Sequence, residues 1–201
     1  MQILWQGYSY FKLVNSQQTV LLNPYSLDKS VKFSKVKADL ALFTNTKEYV
    51  ASKMNEQTFV IDGPGEYEVS DVFVYGRQVN GTSIYLLAFD DLKIAFLGEY
   101  GHQPLSDKDL EVVEGADILI LPVGGGDLTT AKEAVKIINQ IEPRIVIPSC
   151  HKAGMGKIKA DDIQVFIKEF GVNPEELDKL KINKRDLPQD DVKLLILKPQ
   201  K

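Results

Sequence analysis

The sequence predicts a layered α/β protein. Three observations support this class: the first half contains short β-type runs, the second half alternates helical and strand patterns, and the chain closes on a strand. Elements that are apolar on one side must pack against each other, which favours two sheets packed face to face with helices outside. At 201 residues and 44% hydrophobic composition, the chain is expected to form one domain over residues 1–201.

Seven strands are predicted in the first half. Each is a short run of aliphatic, aromatic or β-branched residues bounded by turn residues, as in a meander. We expect these strands to form one antiparallel sheet, and Asp90-Asp91 predicts a hairpin between the last two. The predicted strands are 2–7, 9–14, 19–22, 58–61, 69–75, 82–89 and 92–97.

Helical periodicity begins after residue 105. Ser106 is predicted to cap a helix over 106–113, in which Asp109 takes the third helical position. Gly171 is expected to end the last long helix because glycine adopts the left-handed backbone of a C-cap. The remaining elements are helices over 129–141 and from 159 or 160 to 170, a short charged surface helix over 174–181, and buried strands over 117–122, 144–147 and 192–197.

Composition restricts the classes of partner. The formal net charge is −4, and the sequence pI is near 5.3, so the chain lacks the basic surface that nucleic-acid binding requires. No apolar run approaches about 18 residues, and no basic segment followed by an apolar one opens the chain. We therefore expect a cytoplasmic protein with no nucleic-acid or membrane partner. The single cysteine, Cys150, fits a reducing compartment.

Three glycine-containing turns frame a predicted pocket. They are Gly63-Pro64-Gly65-Glu66-Tyr67-Glu68, Leu97-Gly98-Glu99-Tyr100-Gly101-His102 and Pro122-Val123-Gly124-Gly125-Gly126. Together with Ile145-Val146-Ile147-Pro148, these stretches resemble the metallo-β-lactamase superfamily, specifically its ascorbate-lactonase-like branch of Zn-dependent hydrolases. The resemblance extends from Ile3 to about Leu197 and implies the αββα four-layer sandwich of that family.

The resemblance also implies a zinc site, but most of its ligands are missing. In the family, Thr-His-x-His-x-Asp-His follows a buried strand, whereas the stretch after residues 40–43 here reads Thr44-Asn45-Thr46-Lys47-Glu48-Tyr49-Val50. Asn45, Lys47, Tyr49 and Val50 thus stand where the family has His, His, Asp and His. Zinc needs imidazole, thiolate or carboxylate donors at about 2.0 to 2.3 Å, and a lysine ammonium repels a cation. We therefore expect no metal and no cofactor.

Four candidate catalytic residues remain near the predicted pocket. By the resemblance, Glu99 corresponds to the family's bridging Asp, and Cys150 aligns with a His ligand. His151 lies one residue after that position, and His102 is a lone histidine beside a glycine turn. Two other family turns are also altered: Gly-His-Ser reads Gly7-Tyr8-Ser9, and Asp-Pro reads Asn23-Pro24.

Three functions stay open. The first is a non-catalytic protein of this fold that binds an unidentified small molecule or protein through the altered pocket. The second is a hydrolase with a single unconventional metal held by Glu99, Cys150 and either His151 or His102. The third is a metal-free enzyme with Cys150 as nucleophile and His151 or His102 as base, which requires the thiolate to be activated by nearby positive charge.

Three further features of the pocket are expected. The loops that carry Asn45, Glu99 and Cys150 should converge at one edge of the molecule, with Cys150 as an inert thiol on the pocket floor. Lys47 should point its ammonium at Glu99, because a carboxylate in a closed pocket needs a countercharge. The glycines of 124–126 should form a tight turn with positive φ, since the segment lacks the Gly-Lys-Ser/Thr ending of a phosphate loop.

Overall fold

A computed structural model of the chain describes residues 1–25, 37–45, 55–101, 104–153 and 159–200. The strands in these ranges are β1 Gln2–Gly7, β2 Tyr10–Val14, β3 Thr19–Leu22, β4 Leu40–Leu42, β5 Phe59–Ile61, β6 Gly65–Val69, β7 Val72–Val79, β8 Thr82–Phe89, β9 Leu92–Phe96, β10 Ile118–Pro122, β11 Ile145–Ser149, β12 Pro174–Leu177, β13 Leu180–Lys181 and β14 Lys193–Leu197. The helices are α1 Asp107–Val113, α2 Ala131–Ile141 and α3 Ile163–Phe170, with a 3-10 turn over Lys184–Asp186.

Two sheets pack face to face. The first has the strand order β13-β1-β2-β3-β4-β5, and the second has the order β12-β14-β11-β10-β9-β8-β7-β6. Side chains from both sheets form the central core, in which the rings of Phe11 and Phe96 meet edge to face with centroids 6.4 Å apart. Helices cover the other face of the second sheet through a separate apolar cluster. The predicted layered α/β class is confirmed.

Parallel pairing places several loops at one edge. Strand β10 pairs in parallel with both β9 and β11, and in the first sheet β4 pairs in parallel with β3 and β5. The carboxyl ends of parallel strands lie at the same edge of a sheet, where ligands bind in open α/β sheets. The turns that follow β9, β10 and β11 therefore lie side by side.

The prediction of one antiparallel sheet in the first half is wrong. Strands β1, β2 and β3 belong to the first sheet, whereas β6 to β9 belong to the second, and β3, β4 and β5 are parallel to one another. The sequence of β4 does not indicate how the strand pairs, because Leu40–Leu42 has only three residues and all of them are apolar and buried. A fully buried strand lacks the alternation that would assign it to an antiparallel sheet.

The predicted surface helix over 174–181 is also wrong. This segment forms β12, which pairs in parallel with β14, and β13, which pairs with β1. Pro174 is the first residue of an edge strand, a position where its missing N–H costs no ladder hydrogen bond. The charged side chains that suggested a solvated helix are exposed on these edges. Pairing with strands that are distant in sequence has overridden the local pattern.

Smaller differences concern the ends of elements. The strand predicted over 69–75 is interrupted by Ser70 and Asp71, whose positive φ values of 49° and 65° form a hairpin turn between β6 and β7. Helix α3 begins at Ile163 rather than at 159 or 160, because the Asp162 side chain accepts a hydrogen bond from the Gln164 backbone N–H. The capping box predicted for α1 is confirmed. No helix in the described ranges has an apolar stretch long enough to cross a bilayer.

Candidate functional site

The structure brings together three loops predicted to converge. Asn45 follows β4 and Glu99 follows β9, and both line a cavity of about 400 Å³. Cys150 follows β11, and its Sγ lies 3.8 Å from the carbonyl oxygen of Gly98, the residue before Glu99. These loops come from both sheets, so the cavity lies at the edge where the two layers meet.

Two glycines allow this close approach. A Cβ at Gly98 would lie 2.3 Å from the Thr44 side chain, and a Cβ at Gly124 would lie 2.0 Å from the Cys150 carbonyl oxygen. Real Cβ atoms do not come this close to other atoms, so any side chain would push the loops apart. Gly125 and Gly126 have φ values of 65° and 67°, which confirms the predicted positive-φ turn after β10.

Asn23 and Thr44 form a buried hydrogen-bonded pair next to Asn45, which lines the cavity. The Asn23 Nδ2 donates to Thr44 Oγ1, and the Thr44 backbone N–H donates to Asn23 Oδ1, each at 2.8 Å. Both residues are almost completely buried, and Asn23 has a φ of 47°, a left-handed conformation that asparagine tolerates better than most residues. The sequence singled out Asn23 only through the altered Asp-Pro pair, and it assigned no role to Thr44.

Glu99 is hydrogen-bonded by two protein hydroxyls. Tyr25 Oη donates to Glu99 Oε1 at 2.5 Å, and Ser9 Oγ donates to the same oxygen at 3.3 Å. Burial raises the pKa of Tyr25 far above its usual range, and the negative charge of Glu99 raises it further, so Tyr25 remains a neutral donor. Sequence reasoning missed Tyr25, since a lone tyrosine after Pro24 carries no motif.

Cys150 lies beside Gly98 and is fully buried. Its φ is 56°, and its backbone N–H donates to the Tyr8 carbonyl at 3.1 Å. The thiol has two weak polar contacts, with Ser149 Oγ at 3.7 Å and with the Gly98 carbonyl at 3.8 Å. Burial raises the pKa of the thiol well above its ordinary value, and Glu99 raises it further, so the sulfur is protonated at neutral pH.

We expect the Cys150 thiol to react slowly in the folded protein. Burial and a raised pKa both lower the concentration of accessible thiolate, so iodoacetamide at pH 7.5 should alkylate the native chain at least about tenfold more slowly than the chain in denaturant. The rate is measured by mass spectrometry, and the denatured chain serves as the control because Cys150 is the only cysteine. Equal rates would contradict the prediction and support a nucleophilic role.

His151 points into the core between the sheets. Its ring lies 4.7 Å from the Trp5 ring, Nδ1 is 3.4 Å from the Lys152 carbonyl oxygen, and the buried Nε2 has no hydrogen-bond partner within the described part of the chain. Burial lowers the pKa of His151 to about 4 from its ordinary 6.5, although the Lys152 carbonyl and Asp162 act in the opposite direction. The ring is therefore neutral at pH 7, and no hydrogen bond joins it to Cys150 among the described residues.

The described donor set does not fit a zinc ion. Zinc needs at least three protein ligands, and in the described ranges no three His, Cys, Asp or Glu side chains lie close enough together to hold a metal. The Glu99 Oε1 already accepts two hydrogen bonds, and the Cys150 thiol is protonated. The other sequence-predicted positions, Lys47, Tyr49, Val50 and His102, lie outside the described residues, as does the expected contact between Lys47 and Glu99.

The predicted pocket frame divides into two parts. Gly63 contacts Tyr85: the Tyr85 Oη donates to the Gly63 carbonyl at 3.2 Å and to the Phe43 carbonyl at 2.9 Å. Gly65 and Glu66 instead line a separate groove beside α1. The cavity at Glu99 is completed by polar residues that sequence reasoning did not identify, among them Asn80, Thr82 and Asp127.

Known proteins resemble this chain over most of its length. Residues 2–150 match the profile of the Beta-lactamase superfamily domain. A UPF0173 protein of Pyrococcus abyssi is 26% identical over 175 residues, which cover 74% of this chain and 82% of the relative. Two solved structures share the fold alone. They are a Thermotoga maritima protein of the metallo-β-lactamase superfamily (24% identity, TM-score 0.82, 98% of this chain and 99% of that one) and a metallo hydrolase of Ignicoccus hospitalis (12% identity, TM-score 0.66, 100% and 96%).

Proposed function

This chain belongs to the metallo-β-lactamase superfamily, and we propose that it binds a small polar ligand in the family's pocket without a metal ion and without catalysis. The observation that carries the proposal is the contact between Tyr25 and Glu99. The carboxylate at the position of the family's bridging ligand accepts a hydrogen bond of 2.5 Å from a buried tyrosine hydroxyl. The Tyr25 hydroxyl thus donates to a carboxylate oxygen that a metal ion would otherwise coordinate.

The lining of the cavity supports a polar ligand. Asn45, Asn80 and Thr82 supply amide and hydroxyl groups, while Glu99 and Asp127 supply carboxylates. Carboxylates accept hydrogen bonds and attract positive charge, so the preferred ligand carries hydroxyl or amino donors and has no negative charge. At about 400 Å³ the cavity is at the small end of the range for ligand sites, which suits a molecule of sugar or amino-alcohol size.

The two catalytic alternatives find less support. A single-metal hydrolase that uses His151 needs its ring beside Glu99 and Cys150, whereas that ring packs against Trp5 with centroids 4.7 Å apart. A cysteine hydrolase needs a thiolate near a base, whereas burial keeps the Cys150 thiol protonated. A metal-independent binding role requires neither arrangement.

Metal analysis and ligand binding test the proposal together. We expect protein purified without chelators to contain well under one metal ion per chain, and zinc titration by calorimetry to give no stoichiometric binding. A thermal-shift screen of polyols, amino sugars and amino alcohols should find a ligand that stabilises the protein, as binding to the folded state must. Asp127→Asn should weaken that stabilisation, whereas the control Asp191→Asn, which lies in a different cavity, should leave it unchanged.

Two results would overturn the proposal. Stoichiometric metal that is lost in Glu99→Gln would favour the single-metal hydrolase. Ester or lactone hydrolysis by metal-free protein that is lost in Cys150→Ser would favour the cysteine enzyme. A screen that finds no stabilising compound, or one whose effect survives Asp127→Asn, would remove the assignment of the ligand to this cavity.

A further inference from the structure

An aromatic strip lies on the outer face of the second sheet. Side chains alternate along β7, so that Val72 and Val74 are buried between the sheets while Phe73 and Tyr75 point the other way. These two aromatic side chains are 40% and 42% exposed, among the most exposed large apolar residues in the described ranges. Their position two residues apart makes one continuous apolar surface, a feature that often marks an interaction site.

Carboxylates flank this strip on the edge strand. In the β6–β7 ladder, Glu66 lies opposite Tyr75, and Glu68 lies opposite Phe73. Both glutamates are exposed, and each shares a sheet face with the aromatic residue that it opposes. The edge of the strip is therefore negatively charged along its length.

A groove separates the strip from α1 and is also acidic. Its volume is about 640 Å³, and its apolar lining includes Tyr75, Leu86 and Val112. Three glutamates line it, namely Glu66, Glu111 and Glu114, against one basic side chain, Lys93, among the described lining residues. The groove thus combines an apolar floor with a net negative rim.

An ion pair attaches α1 to β7 beyond the aromatic strip. Arg77 Nε donates to Asp109 Oδ1 at 2.6 Å, and Asp109 is almost completely buried. Arg77 lies two residues beyond Tyr75 on the same face of β7, so the helix covers the sheet at Arg77 and leaves the Phe73 end exposed. The groove therefore lies open because of how α1 is packed on the sheet.

We propose that this groove and the adjoining strip bind a cationic, amphipathic segment of another protein. Lysine or arginine side chains of the segment pair with the glutamates on either side, and its apolar side chains cover Phe73, Tyr75 and Leu86. A guanidinium or ammonium group also gains from the face of the Tyr75 ring. This site is separate from the cavity at Glu99 and does not depend on the function proposed for it.

Charge distinguishes this partner from the other occupants of an apolar surface. A second copy of the chain would bring one row of glutamates against another, which is unfavourable for a symmetric contact. Anionic lipid headgroups and nucleic-acid phosphates would meet the same repulsion. A basic amphipathic polypeptide supplies positive charge to face the glutamates and apolar side chains to cover the aromatic strip.

A labelled peptide tests the proposal on the full chain. The probe is a short fluorescein-labelled peptide that alternates lysine with leucine, and the matched control peptide alternates glutamate with leucine. We expect fluorescence anisotropy to show saturable binding of the lysine peptide alone. The double variant Glu66→Gln/Glu114→Gln should weaken binding at least about tenfold, because it removes two of the pairing carboxylates.

The matched protein control removes the same charge elsewhere. In Glu169→Gln/Glu175→Gln, both altered side chains are exposed and lie outside the groove, so binding should change by less than about twofold. Tyr75→Ser should also weaken binding while circular dichroism shows the native fold. Equal losses in the two double variants, or no saturable binding, would overturn the proposal. A dimer in sedimentation velocity that Tyr75→Ser dissociates, or preferential binding to phosphatidylserine vesicles, would overturn it in favour of that occupant.

Discussion

Replacing Gly124 with alanine is expected to lower the free energy of unfolding by about 3 kcal/mol or more. The added Cβ would lie 2.0 Å from the carbonyl oxygen of Cys150, and that oxygen belongs to the backbone. A side chain can rotate away from a clash, whereas the Cys150 backbone is held by a hydrogen bond from its N–H to the Tyr8 carbonyl. Relief therefore requires separating the ends of β10 and β11.

Gly63→Ala is the matched control for this prediction. It makes the same chemical change at another glycine near the site, yet a Cβ at Gly63 has no atom of the described residues within 4 Å, and its φ is not positive. Its free energy of unfolding should differ from that of the wild type by less than about 1 kcal/mol. Urea unfolding followed by circular dichroism measures both variants. Similar stabilities for the two variants would contradict the close approach of Gly124 to Cys150.

Acidification from about pH 7.5 to pH 5 is expected to cost the folded state about 2 kcal/mol through His151 alone. Its pKa is about 4 in the folded protein against an ordinary value of 6.5, so the unfolded chain binds the proton more tightly. Because the unfolded chain takes up this proton more readily, protonation of His151 destabilises the folded state once the pH falls below the pKa of the unfolded chain. The loss therefore begins near pH 6.5 and is complete below about pH 4.

The variant His151→Phe isolates this effect. Phenylalanine keeps a ring beside Trp5 but has no proton to bind, so its stability should fall by about 2 kcal/mol less than that of the wild type over the same pH range. Carboxylates titrate in both proteins and cancel in the difference. Nuclear magnetic resonance gives the pKa directly, since the chain has two histidines and the variant identifies which signal belongs to His151. Parallel pH profiles, or a measured pKa near 6.5, would contradict the buried neutral ring.

The local elements were the most predictable part of the fold. The strands 2–7 and 82–89 matched β1 and β8, and Ser106 and Asp109 formed the predicted capping box. These features depend on residues close in sequence. Alternation of apolar and polar residues predicts a strand, and a capping side chain bonds a backbone group three residues away. The errors at 174–181 and in assigning the first-half strands to one antiparallel sheet have the opposite cause. Their conformation is set by β14, β1, β3 and β5, which a local pattern does not record.

The candidate site shows the same division. Resemblance to the family predicted replaced zinc ligands at Asn45, Lys47, Tyr49 and Val50, and of these four positions only Asn45 lies within the described residues. Sequence reasoning identified Glu99 but neither of the two hydroxyls that donate to it. Tyr25 and Ser9 are 74 and 90 residues away in sequence from Glu99, and no spacing rule connects them.

By itself, the sequence determined the layered class and most local elements, because both follow from residue type and short-range periodicity. Only the tertiary structure decided which sheet each strand joined, that His151 packs against Trp5, and that an acidic groove opens beside Tyr75. Those outcomes depend on contacts between residues far apart in the chain. Burial of these side chains raises the pKa of the Cys150 thiol and lowers the pKa of His151, because removal from water disfavours the charged form of each.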